Sequence, residues 1–239
     1  MQKIFIILLI VLGHSIVSHS QTATFITISS GGQFDRVTIG ASGCTSTTLN
    51  LCGNFTGSPL SIALDGNILY VVDNKGFLYK NILTNTGTVG NCTKLGQYIS
   101  KSTAIYGLTV GNGGMVYAAS GSNIEFYDPI NNAFGIVGTL PNNWKIGGDL
   151  LFYKGVLYEA VTVASGGNAL VQVDLVNVSN SILYMNFNAG TNVFGFASVT
   201  VPCSNNAAYA LSTVGSSTDI YAVDMINKTQ ANTATCTLP

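Results

Sequence analysis

A repeat of roughly 45 residues, built from short strand-forming segments, constrains the fold of this chain more than any other feature. Four of the units carry an apolar run that ends on an aligned tyrosine: Tyr70, Tyr117, Tyr158 and Tyr209. Gly, Asn and Asp clusters separate the runs, and no window shows convincing helical periodicity. One such unit cannot bury both faces of a small sheet, so neighbouring units must stack around an axis. The sequence predicts an all-β fold, a β-propeller of about five four-stranded blades.

The first unit, about Thr22 to Cys52, differs from the others. It lacks the glycine-led apolar segment that begins the later units, such as Gly107-Leu-Thr-Val110. Two explanations stay open. Either the C-terminal tail supplies a strand that closes the ring, or the chain is a piece of a longer one and the propeller is incomplete here.

Residues 1–20 have the layout of a secretory signal peptide. Lys3 supplies a positive charge, and Ile4 to Leu12 form an apolar run that is too short to span a bilayer. Ser18 and Ser20 are the small residues expected before cleavage ahead of Gln21. We therefore expect a propeller domain over residues 21–239, secreted or at the cell surface, with no transmembrane segment after cleavage.

Loss of that segment limits the chemistry that the mature chain can perform. The two histidines, His14 and His19, both lie inside it. A chain without histidine cannot use a Ser-His-Asp mechanism or a His-ligated metal. No metal site and no cofactor are predicted. Charged residues make up 8% of the chain with a net charge of -1, so nucleic-acid binding is not expected either.

The five cysteines are Cys44, Cys52, Cys92, Cys203 and Cys236. Three of them precede threonine at comparable places in their units, which would put them on outer strands of different blades. Such positions are too far apart to bridge one another. The recurrence is therefore interpreted as inherited repeat sequence and not as a disulfide framework, with Cys44 and Cys52 the most local candidate pair.

Four residues are candidates for binding. Asp149 follows two glycines at the start of a predicted inner strand. Its carboxylate either contacts a ligand or cation, or accepts bonds from backbone amides of a turn, as Asp commonly does. Tyr106, Trp144 and Phe194 occupy comparable positions at the beginning of three units. Together they are able to stack on a sugar or a partner peptide, or to pack between blades. No catalytic residue is assigned.

The other carboxylates have structural interpretations. Asp128, Asp174 and Asp224 end equivalent third strands, and a repeated position favours a repeated turn. A carboxylate pair for glycoside hydrolysis needs two side chains about 5 to 10 Å apart. Glu125 and Glu159 belong to different units, so this signal is weak.

The units resemble the YVTN/NHL-type β-propeller repeats of secreted proteins from Bacteroidota, which commonly sit in larger surface proteins ahead of adhesive or sorting modules. The likeness is carried by Gly148-Asp-Leu-Leu-Phe-Tyr-Lys-Gly-Val-Leu-Tyr158, Tyr106-Gly-Leu-Thr-Val110 and the strands that end at Asp174 and Asp224. It covers most of Pro59 to Asp224. The resemblance implies a propeller in a surface protein and supplies no catalytic motif.

Three functions are compatible with the sequence. The first is a non-enzymatic extracellular propeller that recognises a protein or glycan, or serves as an adhesin scaffold. The second is a carboxylate-based hydrolase or lyase that acts at the channel mouth near Asp149. The third is a purely structural spacer.

Overall fold

The structure, a computed structural model, describes residues 23–28, 32–40, 43–50, 53–84, 89–100, 105–163, 167–188, 191, 193–199, 207–214 and 217–236. These residues form nineteen β-strands in five antiparallel sheets, with two short 3₁₀ turns between them. The sheets are the blades of a five-bladed β-propeller, so the predicted fold class is confirmed.

Each blade is a meander in which consecutive strands pair. The first blade contains β1 (Ala23–Ile28), β2 (Phe34–Gly40) and β3 (Gly43–Leu49). The second contains β4 (Pro59–Asp65), β5 (Ile68–Asp73), β6 (Phe77–Leu83) and β7 (Val89–Gln97). The third contains β8 (Ile105–Val110), β9 (Val116–Ser120), β10 (Asn123–Asp128) and β11 (Ala133–Thr139). The fourth contains β12 (Lys145–Tyr153), β13 (Val156–Thr162), β14 (Asn168–Val173) and β15 (Ile182–Asn186). The fifth contains β16 (Val193–Val199), β17 (Ala207–Val214), β18 (Ser217–Asp224) and β19 (Thr229–Cys236).

The first strands of blades two to five are the innermost ones. β4 contacts β8, β8 contacts β12, and β12 contacts β16, so these strands stand side by side around the axis. At the outer side of the ring, β19 of the fifth blade contacts β3 of the first.

The first blade lacks an innermost strand among the described residues, as its sequence predicts. In the second and third blades, the turn between the second and third strands lies against the chain where the next blade begins. A Cβ added at Gly76 would lie 3.8 Å from Ile105, the first residue of β8, and the Ile146 N–H of β12 donates to the Gly121 carbonyl. The β1–β2 turn lies at the same place relative to the second blade. A Cβ added at Gly32 would lie 3.4 Å from the side chain of Pro59, the first residue of β4. β1 is therefore a second strand. The described C-terminal strand, β19, pairs with β18 and does not supply the missing one.

Four apolar clusters fill the interfaces between successive blades, which is why each small sheet is stable only beside its neighbours. The two faces of the fourth blade show the alternation. Leu150 and Leu157 belong to the cluster shared with the third blade, and Leu151 and Tyr158 belong to the one shared with the fifth. The aligned tyrosines all lie on second strands, as the repeat predicts.

Glycines allow the inner strands to approach each other closely. A Cβ added to Gly148 in β12 would lie 2.3 Å from the carbonyl oxygen of Val193 in β16. A Cβ added to Gly107 in β8 would lie 3.1 Å from the backbone nitrogen of Leu150 in β12. The repeated glycine at the start of the inner strands is therefore a packing requirement.

The repeated aspartates build one turn three times. The Oδ1 atoms of Asp128, Asp174 and Asp224 each accept two backbone N–H bonds, from the residues two and three positions later. Hydrogen bonds hold the pKa of Asp128 and of Asp224 below the usual value. For Asp128 the largest cause is the bond from the Asn131 side chain, and for Asp224 it is the bond from the Asn227 backbone N–H. The prediction of a structural turn is confirmed.

The interpretation that the repeated cysteines are not part of a disulfide framework is wrong for two of the three. Cys44 in β3 and Cys92 in β7 are both disulfide-bonded. The suggested partner of Cys44, Cys52, lies outside the described residues.

Candidate functional site

Irregular pairing recurs near the beginning of the innermost strands. In β4, β8 and β16 one extra residue interrupts the pairing with the second strand: Leu60, Tyr106 and Phe194, respectively. In β12 the irregular segment is longer and spans Gly147 to Asp149. Such bulges turn a side chain out of the regular alternation, and they are common beside binding sites. We call these positions the inner-strand bulges.

The bulges of β8 and β16 expose aromatic rings. Tyr106 is 51% exposed and Phe194 is 57% exposed, although both lie on innermost strands. β12 stands between these two strands and begins with the exposed Lys145. Three neighbouring strands thus present a tyrosine, a lysine and a phenylalanine near their beginnings. We call Tyr106, Lys145 and Phe194 the channel-mouth patch.

Asp149 ties the three strands of this patch together. Its Oδ1 accepts the N–H of Leu108 in β8 at 2.8 Å and the N–H of Leu150 at 2.8 Å. Its Oδ2 accepts the N–H of Phe196 in β16 at 3.4 Å. The side chain is buried, and burial raises the pKa of Asp149 from 3.8 to about 7, while the three backbone bonds oppose that rise.

The geometry around Asp149 fixes the spacing of the patch. Leu108 and Phe196 each lie two positions after an exposed ring, so the carboxylate holds β8 and β16 at matching points. Its oxygens bond the protein's own backbone. A ligand or cation contact by Asp149 stays a prediction.

Trp144, the fourth candidate, immediately precedes β12. It is half-buried and packs against the apolar cluster between the third and fourth blades. Its backbone N–H donates to the Pro141 carbonyl at 3.1 Å. Packing between blades therefore describes Trp144 better than it describes the exposed Tyr106 and Phe194.

The two glutamates lie at different blade interfaces. Glu125 bonds the connection between the second and third blades, where its Oε2 accepts the N–H of Ile99 at 2.8 Å. Glu159 lies in β13, paired across the sheet with Leu150 and Val171, which both belong to the cluster between the third and fourth blades. Burial raises the pKa of Glu159 from 4.5 to about 8.

A shallow pocket that the sequence did not reveal lies between the first two blades. Its volume is about 320 Å³, and its lining includes Phe34, Leu49 and Phe55 with the polar Gln33 and Thr48. Gln33 and Thr48 already bond the buried carboxylate of Asp35. Among the described residues, no ionisable side chain lines this pocket.

Within the described ranges, no group of three or more His, Cys, Asp or Glu side chains is placed to hold a metal ion. The same part of the chain contains no helix with the length and apolar character to cross a membrane.

Comparison with solved structures supports the propeller fold. The PQQ-bound aldose sugar dehydrogenase of Streptomyces coelicolor superposes with a TM-score of 0.54 at 10% identity, covering 90% of this chain and 86% of that one. The glutaminyl cyclase of Myxococcus xanthus gives a TM-score of 0.46 at 17% identity, covering 80% and 88%. A protein from Lactobacillus plantarum gives 0.47 at 15%, covering 92% and 68%. No family model and no curated protein matches the sequence. At 10% identity the likeness to the dehydrogenase concerns the fold alone.

Proposed function

We propose that this chain is a secreted or cell-surface, non-enzymatic β-propeller that recognises an extracellular protein or glycan with its channel-mouth patch. The observation that carries the proposal is the pair of exposed rings, Tyr106 and Phe194, at equivalent bulges of two innermost strands. Large aromatic side chains supply much of the energy of recognition surfaces. The layout of residues 1–20 and the resemblance to secreted Bacteroidota repeats support the extracellular location.

A glycan is the ligand that the patch suits best. Flat ring faces contact the apolar faces of sugars, and the Lys145 amine is able to donate to hydroxyl groups. The surroundings carry little charge, because the carboxylate of Asp149 is buried against backbone N–H groups. A rigid scaffold with two exposed rings binds without large ordering costs.

The proposal is non-enzymatic because the buried carboxylates around the inner strands serve other purposes. Asp149 bonds three backbone N–H groups, and Glu125 bonds a blade connection. Glu159 belongs to a different blade interface from Glu125. The two glutamates therefore do not form the carboxylate pair that a hydrolase or lyase would use.

A printed glycan array tests the proposal. We expect binding by the wild-type protein and at least a tenfold loss of signal in Tyr106→Ser and Phe194→Ser. Ile182→Ser is the matched control, because Ile182 is similarly exposed but lies on β15 at the outer side of the fourth blade. If all three variants bind like the wild type, the patch is not the binding site. If no glycan and no extracellular protein binds, the spacer function replaces the proposal.

A further inference from the structure

The carboxylates of this chain are divided between the two ends of the propeller. The innermost strands all begin at the end that carries the channel-mouth patch, which we call the mouth end, and they finish at the opposite end, which we call the far end. All 10 Asp and Glu residues of the sequence lie among the described residues. Each of them can therefore be assigned to one end of the ring or to its interior.

Four surface aspartates lie at the far end, each at or just after the end of a strand: Asp65, Asp128, Asp174 and Asp224. Two exposed lysines, Lys154 and Lys228, lie at the same end. Both amines lie over tyrosine rings, Tyr153 and Tyr184. Among the described residues, the surface of the far end therefore carries more negative than positive charge.

The carboxylates at the mouth end are withdrawn from its surface. Three aspartates there are buried and accept hydrogen bonds from the protein itself: Asp35, Asp73 and Asp149. Asp219 is partly buried and accepts the hydroxyls of Tyr221 and Thr235. The two glutamates are buried inside blade interfaces. Lys75 and Lys145 are exposed at this end, so its surface presents lysines without a fully exposed Asp or Glu side chain beside them.

Lys145 is the cation at the centre of the channel-mouth patch. It begins β12, between the strands whose bulges expose Tyr106 and Phe194. In the part of the chain that the structure describes, its amine has no ion pair and no hydrogen bond.

The far-end aspartates are too distant to neutralise Lys145. Innermost strands of at least six residues separate the two ends, which corresponds to about 20 Å. Charges in solvent are screened over about 8 Å at physiological ionic strength. The positive charge of Lys145 is therefore available to a ligand that contacts the two rings.

We propose that the channel-mouth patch recognises an acidic glycan, in which a sugar ring contacts Tyr106 or Phe194 and a carboxylate or sulfate group pairs with Lys145. This inference rests on the proposed function, because it names the chemical class of the glycan. A lysine amine forms charge-assisted hydrogen bonds with either acidic group. The aspartates of the far end repel the same ligand, so the charge distribution directs it to the mouth end.

A glycan array with matched charged and neutral probes tests the inference. The probes are oligogalacturonates with their methyl esters, and sulfated carrageenan oligosaccharides with their desulfated forms. We expect the wild-type protein to bind one of the acidic probes about tenfold more tightly than its neutral counterpart, since the neutral form cannot make the charge-assisted bond. The two pairs of probes identify whether the acidic group is a carboxylate or a sulfate.

Lys145→Met removes the charge and keeps the length of the side chain, so the preference for the acidic probe should disappear. Lys154→Met is the matched control, because it removes the same charge at the far end and should leave the preference unchanged. Raising the salt concentration from about 0.05 M to about 0.5 M should weaken binding of the acidic probe several-fold and leave any binding of the neutral probe unchanged.

The possible failures of this inference and of the proposed function are distinguishable. Equal binding of acidic and neutral probes, or binding confined to neutral glycans, would overturn the acidic ligand and leave glycan recognition in place. A preference for the acidic probe that persists in Lys145→Met would overturn the role of this lysine. If no glycan binds, whether acidic or neutral, the proposed function fails and this inference fails with it.

Discussion

Replacement of Glu159 by glutamine should remove a large pH dependence of stability. Glu159 is 1% exposed, and its Oε2 has no hydrogen-bond partner in the part of the chain that the structure describes. The ionised form of such a group is strongly disfavoured in the folded protein, so burial raises its pKa from 4.5 to about 8. Glutamine keeps the shape of the side chain and has no charge to desolvate.

The sign and size of the effect follow from linkage. Between pH 4.5 and 8 the unfolded chain has released the Glu159 proton, while the folded chain still holds it. Raising the pH therefore favours the unfolded chain until the folded carboxyl also ionises. Each tenfold change in proton affinity corresponds to about 1.4 kcal/mol, so the wild type should lose roughly 4 kcal/mol relative to Glu159→Gln between pH 5 and pH 9.

Urea denaturation at pH 5, 7 and 9 measures this difference, with the fluorescence of the single tryptophan, Trp144, as the signal. Other titrating groups, including Asp149, are common to both proteins and cancel in the comparison. Asp128→Asn is the matched carboxylate-to-amide control. Its amide oxygen is still able to accept the two capping N–H groups of a surface turn. Because the pKa of Asp128 is already low, the effect of this substitution on stability should not change over this pH range. Parallel stability curves for the wild type and Glu159→Gln would refute the reasoning.

Two further predictions concern the scaffold. Gly148→Ala should lower the unfolding free energy by about 1 to 3 kcal/mol, because the added Cβ would lie 2.3 Å from the Val193 carbonyl oxygen. Gly167→Ala is the control: nothing lies within 4 Å of its added Cβ, so this variant should be close to neutral in the same denaturation assay. Equal stability of the two alanine variants would mean that the inner strands do not need this close approach. Asp73→Asn should lower the Tm by several degrees. One oxygen of the buried Asp73 carboxylate accepts the N–H groups of Lys75 and Phe77, and the other accepts the Gly57 N–H and the Tyr79 hydroxyl. Asparagine has a single oxygen, so two of these four bonds are lost. An unchanged Tm by differential scanning calorimetry would show that these bonds add little.

The blade architecture could be predicted because it depends on local patterns. Short apolar runs, their spacing and the turn residues between them are all properties of neighbouring residues, and the tyrosines and aspartates fall at equivalent places in the blades. The described part of the first blade lacks an innermost strand, and this was also visible as a missing glycine-led segment.

The candidate site could be predicted only in part. Tyr106 and Phe194 were identified from their position in the repeat, but their exposure depends on bulges, which arise from pairing between strands. The partners of Asp149 are backbone groups of Leu108 and Phe196, more than forty positions away in either direction, and backbone groups leave no trace in a sequence. Lys145 gave no signal at all, because a single lysine at a strand end is ordinary. The sequence pattern also did not reveal that Cys44 and Cys92 are disulfide-bonded.

The hydrogen bonds of Asp149 have a consequence for how a ligand would be recognised. Because one carboxylate fixes β8, β12 and β16 to each other, the separation between the rings of Tyr106 and Phe194 is set before any ligand arrives. Recognition of this kind is selective for the length of the ligand: a molecule whose two contact points match the separation of the rings gains from both, and a shorter or longer one gains from only one. A series of oligomers of increasing length should therefore show a step in affinity and not a gradual rise.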